Sequence, residues 1–128
     1  MTKRALIVDD CEVLDTALLV KLVSKQSEFV IHTEKNLKRA KNDINKNPPD
    51  FILLDYVLGD EEGSDLLEWL NEQDLHIPVI VYSFDVRPHV EKKCLELGAK
   101  RFLDKGKMTV GETVDLVIKE IDNLDKNS

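Results

Sequence analysis

The stretch Phe51-Ile52-Leu53-Leu54-Asp55 is a run of apolar residues that ends in a carboxylate. Pro48-Pro49 precedes it, and a helix seldom continues through two prolines. A short apolar run bounded by such signals is typical of a strand covered on both faces of a parallel sheet. The stretch therefore predicts an α/β fold, with a polar residue where a buried strand ends.

Five such strand candidates alternate with helical patterns along the chain: Ala5–Val8, Phe29–His32, Phe51–Leu54, Val79–Tyr82 and Arg101–Leu103. The second and fifth have a more mixed composition, which suits the edges of a sheet. Alternating strands and helices favour parallel strands with right-handed crossovers. We predict a (βα)5 flavodoxin-like fold, a doubly wound parallel five-stranded sheet of order 2-1-3-4-5. Its binding crevice is expected outside the carboxyl ends of the strands.

Apolar residues spaced by three and four predict five amphipathic helices between and after the strands. They are Leu14, Leu18 and Leu22; Leu37, Ala40 and Ile44; Leu66, Leu67 and Leu70; Val90, Cys94 and Leu97; and Val110, Val114, Val117, Ile121 and Leu124. The fourth helix is expected to end at Gly98, which can adopt the left-handed cap conformation. With 128 residues, the chain is expected to form one domain over residues 1–128, with a core of about 3–124 and no output domain.

Composition and charge exclude several classes of function. The net charge of −7 argues against direct nucleic-acid binding, which depends on neutralising phosphates with Lys and Arg. The apolar runs are far shorter than the roughly 20 residues of a membrane-spanning helix, so no membrane insertion is expected. Asp9-Asp10 interrupts the apolar stretch that a signal peptide needs. We expect a cytoplasmic protein in which Cys11 and Cys94 are reduced.

Polar residues stand at the carboxyl ends of four predicted strands: Asp9-Asp10, Asp55, Ser83 and Asp104-Lys105. Each of these residues alone is weak evidence for a functional site, because helix caps, turns and solvated lysines are common after strands. In the predicted sheet order, however, three of the carboxylates meet at one crevice. Like charges about 4 Å apart repel by ~4 kcal/mol at an effective dielectric near 20, so the cluster requires a cation. Carboxylate oxygens suit Mg²⁺, whereas isolated histidines and distant cysteines do not suit zinc.

A crevice with Mg²⁺, a hydroxyl and a lysine is equipped to handle a phosphoryl group. The metal and the ammonium would neutralise its charge, and the hydroxyl of Ser83 would donate to another oxygen. Asp55, at the end of the strand opposite the metal ligands, is then the natural nucleophile.

The sequence resembles the response-regulator receiver family over nearly its whole length. The resemblance is carried by residues 5–10 (ALIVDD), 50–55 (DFILLD), 77–83 (IPVIVYS) and 98–105 (GAKRFLDK). Gly63, eight residues after Asp55, also falls where receivers usually place a glycine. In this order and spacing, the motifs together are highly specific.

The resemblance implies a role for each matching residue. Asp55 accepts the phosphoryl group, and Lys105 pairs with it. Mg²⁺ is held by Asp10 directly, by Asp9 mainly through water, by Asp55, and by the backbone carbonyl of Val57. Ser83 is the switch hydroxyl, and Phe102 is the aromatic residue whose position reports the active or inactive state.

The resemblance also implies partners. The phosphoryl group comes from a phosphohistidine on a histidine kinase or a histidine phosphotransfer protein. Phosphorylation adds negative charge that draws Ser83 and Lys105 inward, and Phe102 fills the space that opens. This changes the surface of the fourth helix, fifth strand and fifth helix, where a downstream protein or a second copy is expected to bind.

The chain departs from the usual receiver pattern at four positions. Gly106 replaces the proline that commonly follows the lysine, and Leu58-Gly59 lacks a proline often found in that loop. Phe102 has no phenolic hydroxyl. Val57 is apolar where a polar residue would orient hydrolytic water, so we expect a long-lived phosphoryl state, which autodephosphorylation within seconds would contradict.

Three other functions were weighed against this interpretation. A haloacid-dehalogenase-type phosphatase needs a second acid two residues after its nucleophile, where this chain has Val57. A nucleotide-binding flavodoxin-like domain needs a glycine-rich loop after its first strand, where this chain has Asp9-Asp10-Cys11-Glu12. A receiver-like module that signals without phosphorylation stays open as the alternative, and failure to bind millimolar Mg²⁺ would favour it.

Overall fold

The computed structural model describes residues 3–9 and 29–126. In chain order, its elements are β1 (Lys3–Val8), β2 (Phe29–Glu34), α1 (Leu37–Lys46), β3 (Phe51–Asp55), β4 (Val57–Leu58), β5 (Glu61–Glu62), α2 (Ser64–Glu72), β6 (Val79–Ser83), α3 (Pro88–Glu96), β7 (Arg101–Asp104) and α4 (Val110–Lys126). A 3-10 turn at Lys105–Lys107 precedes α4. The first predicted helix, with Leu14, Leu18 and Leu22, lies outside the described residues, as does Cys11.

Five of the strands form a parallel sheet in the order β2-β1-β3-β6-β7. This is the predicted order 2-1-3-4-5, and the two strands of mixed composition are indeed at the edges. The register brings the functional ends together, since Asp55 pairs with Tyr82 and Ser83 pairs with Asp104. The flavodoxin-like fold predicted from the sequence is therefore confirmed.

The central strands are apolar throughout because both of their faces are covered. On one face, Leu6, Val8, Ile52 and Leu54 pack with buried residues of three helices: Leu37, Ala40 and Ile44 of α1; Leu66, Leu67 and Leu70 of α2; Val90 and Cys94 of α3. On the other face, alternate residues of the same strands, with Ile80, Tyr82 and Leu103, pack with α4. The alternation follows from the two-residue period of a strand.

The apolar stripe predicted for α4 is wrong at its first position. Val110 is 39% exposed, whereas Val114, Val117 and Ile118 are buried against the sheet. Val110 is the first residue of the helix, and it lies before the turn that reaches the sheet. Ile118, one residue after Val117, completes the buried face instead, because a helix face is wide enough to include adjacent positions.

A short hairpin that the sequence analysis did not predict follows β3. Val57 and Leu58 of β4 pair antiparallel with Glu61 and Glu62 of β5. Gly59 begins its two-residue turn with a φ of +61°, the left-handed region that such turns require. The hairpin returns the chain to the end of β3 before α2 begins.

Two helix ends follow the local sequence signals. The Asn36 side chain caps α1 by accepting a hydrogen bond from the Arg39 backbone N–H, at 2.9 Å. After α3, Gly98 has a φ of +103°, in agreement with its predicted role as a cap. Among the described residues, each helix is too short or too polar to cross a membrane.

Candidate functional site

The carboxyl ends of β1, β3 and β7 bring two carboxylates and one ammonium together. Lys105 Nζ donates a hydrogen bond to Asp55 Oδ2 at 3.0 Å and lies 3.8 Å from Asp9 Oδ1. The three residues are far apart in the sequence, and only the parallel sheet makes them neighbours. The convergence expected from the strand ends is therefore observed for Asp9, Asp55 and Lys105.

Asp55 is held at the floor of an open pocket. Its side chain is 8% exposed, and its Oδ1 accepts the backbone N–H of Val57 at 3.1 Å. The pocket is lined by Asp55, Val57, Phe84, Asp85 and Lys105. One carboxylate oxygen is thus oriented by the backbone and the other by an ammonium, next to a cavity that a small anion can enter.

Asp9 is fully buried and is fixed from two directions. Its backbone N–H donates to the Glu34 carbonyl at the end of β2, and its Oδ2 accepts a hydrogen bond from the Tyr82 hydroxyl. The sequence analysis did not identify Tyr82 as a site residue. Its one signal was a polar-tipped aromatic in an otherwise aliphatic strand, directly before Ser83.

Lys105 is positioned by two aromatic rings and a tight turn. Its Nζ lies 4.6 Å from the centre of the Tyr82 ring and 5.3 Å from that of Phe84, within the range of a cation–π contact. The next residue, Gly106, donates its backbone N–H to Asp104 Oδ1 at 2.9 Å. A proline at that position could not make this bond, and all the described peptide bonds are trans.

Ser83 is buried at the end of β6, and its Oγ accepts the backbone N–H of Asp85 at 2.9 Å. The following loop is braced by Arg87, which makes two hydrogen bonds to the Asp85 carboxylate. These bonds hold the pKa of Asp85 at about 2, so this carboxylate at the pocket rim is charged at neutral pH. Neither Asp85 nor Arg87 was identified from the sequence.

Phe102 and Cys94 belong to the face of the sheet that α1, α2 and α3 cover. Phe102 pairs with Val81 in the register and is partly buried against that core. Cys94 is a free, fully buried thiol, as expected, and burial raises its pKa to about 11. Cys94 is therefore a packing residue of the core.

The described donors suit a hard divalent cation. Carboxylate oxygens of Asp9 and Asp55 lie 3.8 Å and 3.0 Å from one ammonium, and Asp55 lines an open pocket from which water can complete the coordination. Oxygen ligands of this kind are those that Mg²⁺ prefers. Asp10, the third predicted acidic ligand, lies outside the described residues.

His32, expected from the sequence to be isolated, belongs to a cluster with Glu34 and Asp43. Its Nε2 lies 3.0 Å from Asp43 Oδ2 and 3.6 Å from Glu34 Oε2. Burial and the neighbouring Asp43 carboxylate raise the pKa of Glu34, while His32 and Arg39 oppose that rise. The cluster lies along the β2 edge, and we interpret it as a surface ion-pair group.

Comparisons with known proteins agree with this geometry. Residues 5–119 match the family described as the response regulator receiver domain. The chain is 29% identical over 107 residues to the polar-differentiation response regulator DivK of Brucella ovis, covering 82% of this chain and 85% of DivK. It is also similar to a CheY-like receiver domain protein of Methanospirillum hungatei, with a TM-score of 0.77, 21% identity and full coverage of both chains.

A longer relative matches over only part of its own length. The chain is 32% identical over 105 residues to the protein-glutamate methylesterase/protein-glutamine glutaminase of Treponema denticola. The match covers 80% of this chain but 28% of that protein. The shared part is thus a minor portion of the methylesterase.

Proposed function

Because this chain belongs to the response regulator receiver domain family, we propose that Asp55 is its phosphoacceptor, in a reaction that depends on Mg²⁺. The observation that carries this assignment is the contact of Asp55 Oδ2 with Lys105 Nζ, at 3.0 Å, beside an open pocket. Receivers of two-component systems are switched by phosphorylation of an aspartate. The phosphodonor we propose is a phosphohistidine on a histidine kinase or a histidine phosphotransfer protein.

The transfer exchanges one bond to phosphorus for another. A carboxylate oxygen of Asp55 forms the new P–O bond, while the P–N bond to the donor imidazole breaks and its electron pair returns to the histidine. The Val57 N–H keeps the carboxylate oriented. The Lys105 ammonium stabilises charge on the phosphoryl oxygens.

Asp9, Asp55 and the backbone carbonyl of Val57 would hold Mg²⁺, together with Asp10 by resemblance to the family. When bound, Mg²⁺ neutralises charge on the phosphoryl oxygens and orients them. Asp9 and Asp55 are available for this because both already point at one cationic group. The Lys105 ammonium would neutralise charge on the phosphoryl oxygens together with Mg²⁺, and the ammonium alone would not suffice for the transfer.

We propose that Ser83 and Phe102 transmit the phosphorylated state. Ser83 would exchange its bond from the Asp85 N–H for one to a phosphoryl oxygen, and Phe102 would move toward the vacated space. The surface of α3, β7 and α4 would then bind a downstream protein or a second copy. In this account the chain assists its own phosphorylation and dephosphorylation and is not an enzyme toward other substrates.

The test is to incubate the chain with Mg²⁺ and acetyl phosphate and to measure its intact mass. A phosphoryl adduct is expected in the wild-type chain and in Asp60→Asn, a matched control with an exposed aspartate in the adjacent hairpin. No adduct is expected in Asp55→Asn or in EDTA. An equal adduct in Asp55→Asn would overturn the assignment, and no adduct in the folded wild-type chain would favour a module that signals without phosphorylation.

A further inference from the structure

Tyr82 takes no part in the proposed transfer, yet its hydroxyl contacts a proposed metal ligand. The side chain is 3% exposed, and its hydroxyl donates to Oδ2 of Asp9, which is fully buried. Tyr82 stands opposite Asp55 in the register of the sheet, on the face that α4 covers. β6 thus supplies a second buried hydroxyl group to the site, in addition to that of Ser83.

The bond divides the two oxygens of Asp9 between different partners. Oδ2 accepts from the Tyr82 hydroxyl, while Oδ1 faces Lys105 Nζ at 3.8 Å. The backbone N–H of Asp9 is bound to Glu34 O. Main chain and carboxylate are therefore both anchored, and the Tyr82 hydroxyl holds one of the two carboxylate oxygens.

The Tyr82 hydroxyl and the Lys105 ammonium, which both lie beside the Asp9 carboxylate, differ in how they respond to a cation. The ammonium of Lys105 repels an incoming Mg²⁺, whereas the neutral phenol does not. Tyr82 can thus keep its hydrogen bond to Asp9 while a metal binds. Hydrogen-bond partners of this kind orient ligating carboxylates, and their loss weakens metal binding by about 10- to 100-fold.

We propose that Tyr82 is a positioning residue that fixes the Asp9 carboxylate for Mg²⁺ binding, an inference that rests on the proposed function. Tyr82→Phe removes the hydroxyl but keeps the ring beside Lys105. The Mg²⁺ dissociation constant of this variant is expected to rise by about 10-fold. Its rate of phosphorylation by acetyl phosphate should recover fully once Mg²⁺ is saturating.

Tyr56→Phe is the matched control. Tyr56 is also buried, at 7% exposed, and its hydroxyl donates to a different carboxylate, that of Glu62 at 3.3 Å. Isothermal titration of Mg²⁺ into the full chain should give this variant the wild-type dissociation constant. Thermal unfolding in EDTA checks that both variants are folded before they are compared.

A double-mutant cycle tests whether Tyr82 acts through Asp9. In an Asp9→Asn background, adding Tyr82→Phe should leave the Mg²⁺ dissociation constant within about twofold. The inference is overturned if Tyr82→Phe matches the wild type, if Tyr56→Phe weakens binding equally, or if the two effects at positions 9 and 82 add. Those results leave Asp55 phosphorylation intact, whereas a wild-type chain that binds no Mg²⁺ overturns both proposals.

Discussion

Lys105 is the residue on which the charge balance of the site depends. Its side chain is 20% exposed and lies against two aspartates whose side chains are 0% and 8% exposed. Two such carboxylates repel each other strongly when no cation stands between them. The ammonium therefore stabilises the fold in the absence of metal, in addition to its proposed part in phosphoryl transfer.

Replacement of Lys105 by methionine should make stability depend on Mg²⁺. In EDTA at neutral pH, we expect Lys105→Met to lower the free energy of unfolding by about 2 kcal/mol, because it removes the ammonium that lies against two buried carboxylates. Millimolar Mg²⁺ should restore more stability to this variant than it adds to the wild-type chain, since the metal no longer competes with an ammonium. Urea unfolding with and without Mg²⁺ measures both quantities.

Lys107→Met is the control, because Lys107 lies in the same turn but its side chain is 84% exposed. We expect its stability to stay within about 0.5 kcal/mol of the wild type in EDTA. Equal losses in the two variants would contradict a special role of Lys105.

The β4–β5 hairpin, with the glycine that follows it, lies against the backbone of the proposed phosphoacceptor Asp55. Gly63 donates its backbone N–H to the Tyr56 carbonyl, directly after Asp55. A Cβ atom at Gly63 would lie 2.5 Å from the Asp55 carbonyl oxygen and 3.0 Å from Tyr56 Cα. Glycine fits here because the chain passes against the backbone at the end of β3, where a Cβ atom would clash.

Gly63→Ala should therefore affect both stability and the site. We expect a loss of about 2 kcal/mol in the free energy of unfolding, since backbone atoms must move to make room, and slower phosphorylation because Asp55 moves with them. Denaturant unfolding and the acetyl phosphate assay measure the two effects.

Gly111→Ala controls for the loss of a glycine. The nearest atom to its Cβ would be Thr109 Oγ1 at 3.9 Å, an ordinary contact, and alanine favours the helix in which residue 111 lies. Stability should be unchanged or slightly higher. A Gly63→Ala variant as stable as Gly111→Ala would show that the hairpin can shift at little cost.

At the scale of the whole molecule, β6 and β7 connect the site to the far surface. Ser83 pairs with Asp104 and Val81 with Phe102, so the proposed switch residues lie on neighbouring strands. On α4, Glu120 binds Lys100 at 2.9 Å and lies 3.8 Å from Arg101. The edge strand β7 is thus paired with β6 at Ser83 and is joined to α4 through Arg101.

We expect beryllofluoride with Mg²⁺ to change amide hydrogen exchange in β7 and the adjoining helices by several-fold, because the bound anion shifts the population of two packings. Ser83→Ala should still bind beryllofluoride but should lose that distant change. Ser64→Ala is the control, since Ser64 is equally buried but begins α2. The same exchange response in Ser83→Ala as in the wild type would exclude Ser83 as the transmitting residue.

The sequence alone determined the sheet order, its edges and the residues at its carboxyl end. Apolar runs reveal strands covered on both faces, and parallel strands necessarily bring their carboxyl ends to one side. Asp9, Asp55, Ser83 and Lys105 could therefore be identified as site candidates. The family resemblance then supplied their expected roles, which local patterns alone do not contain.

Only the tertiary structure decided the contacts between side chains from different elements. The bond from Tyr82 to Asp9 and the position of Lys105 over two aromatic rings depend on how the elements pack. The same holds for α4, in which Val110 is exposed and Ile118 is buried. Local sequence does not specify the partner or the buried position in these cases, because the partners are separated by many residues and the two helix positions lie close together. The periodicity of apolar residues indicates which faces of the helices and strands are buried. Which side chains touch each other depends on the close packing of those faces.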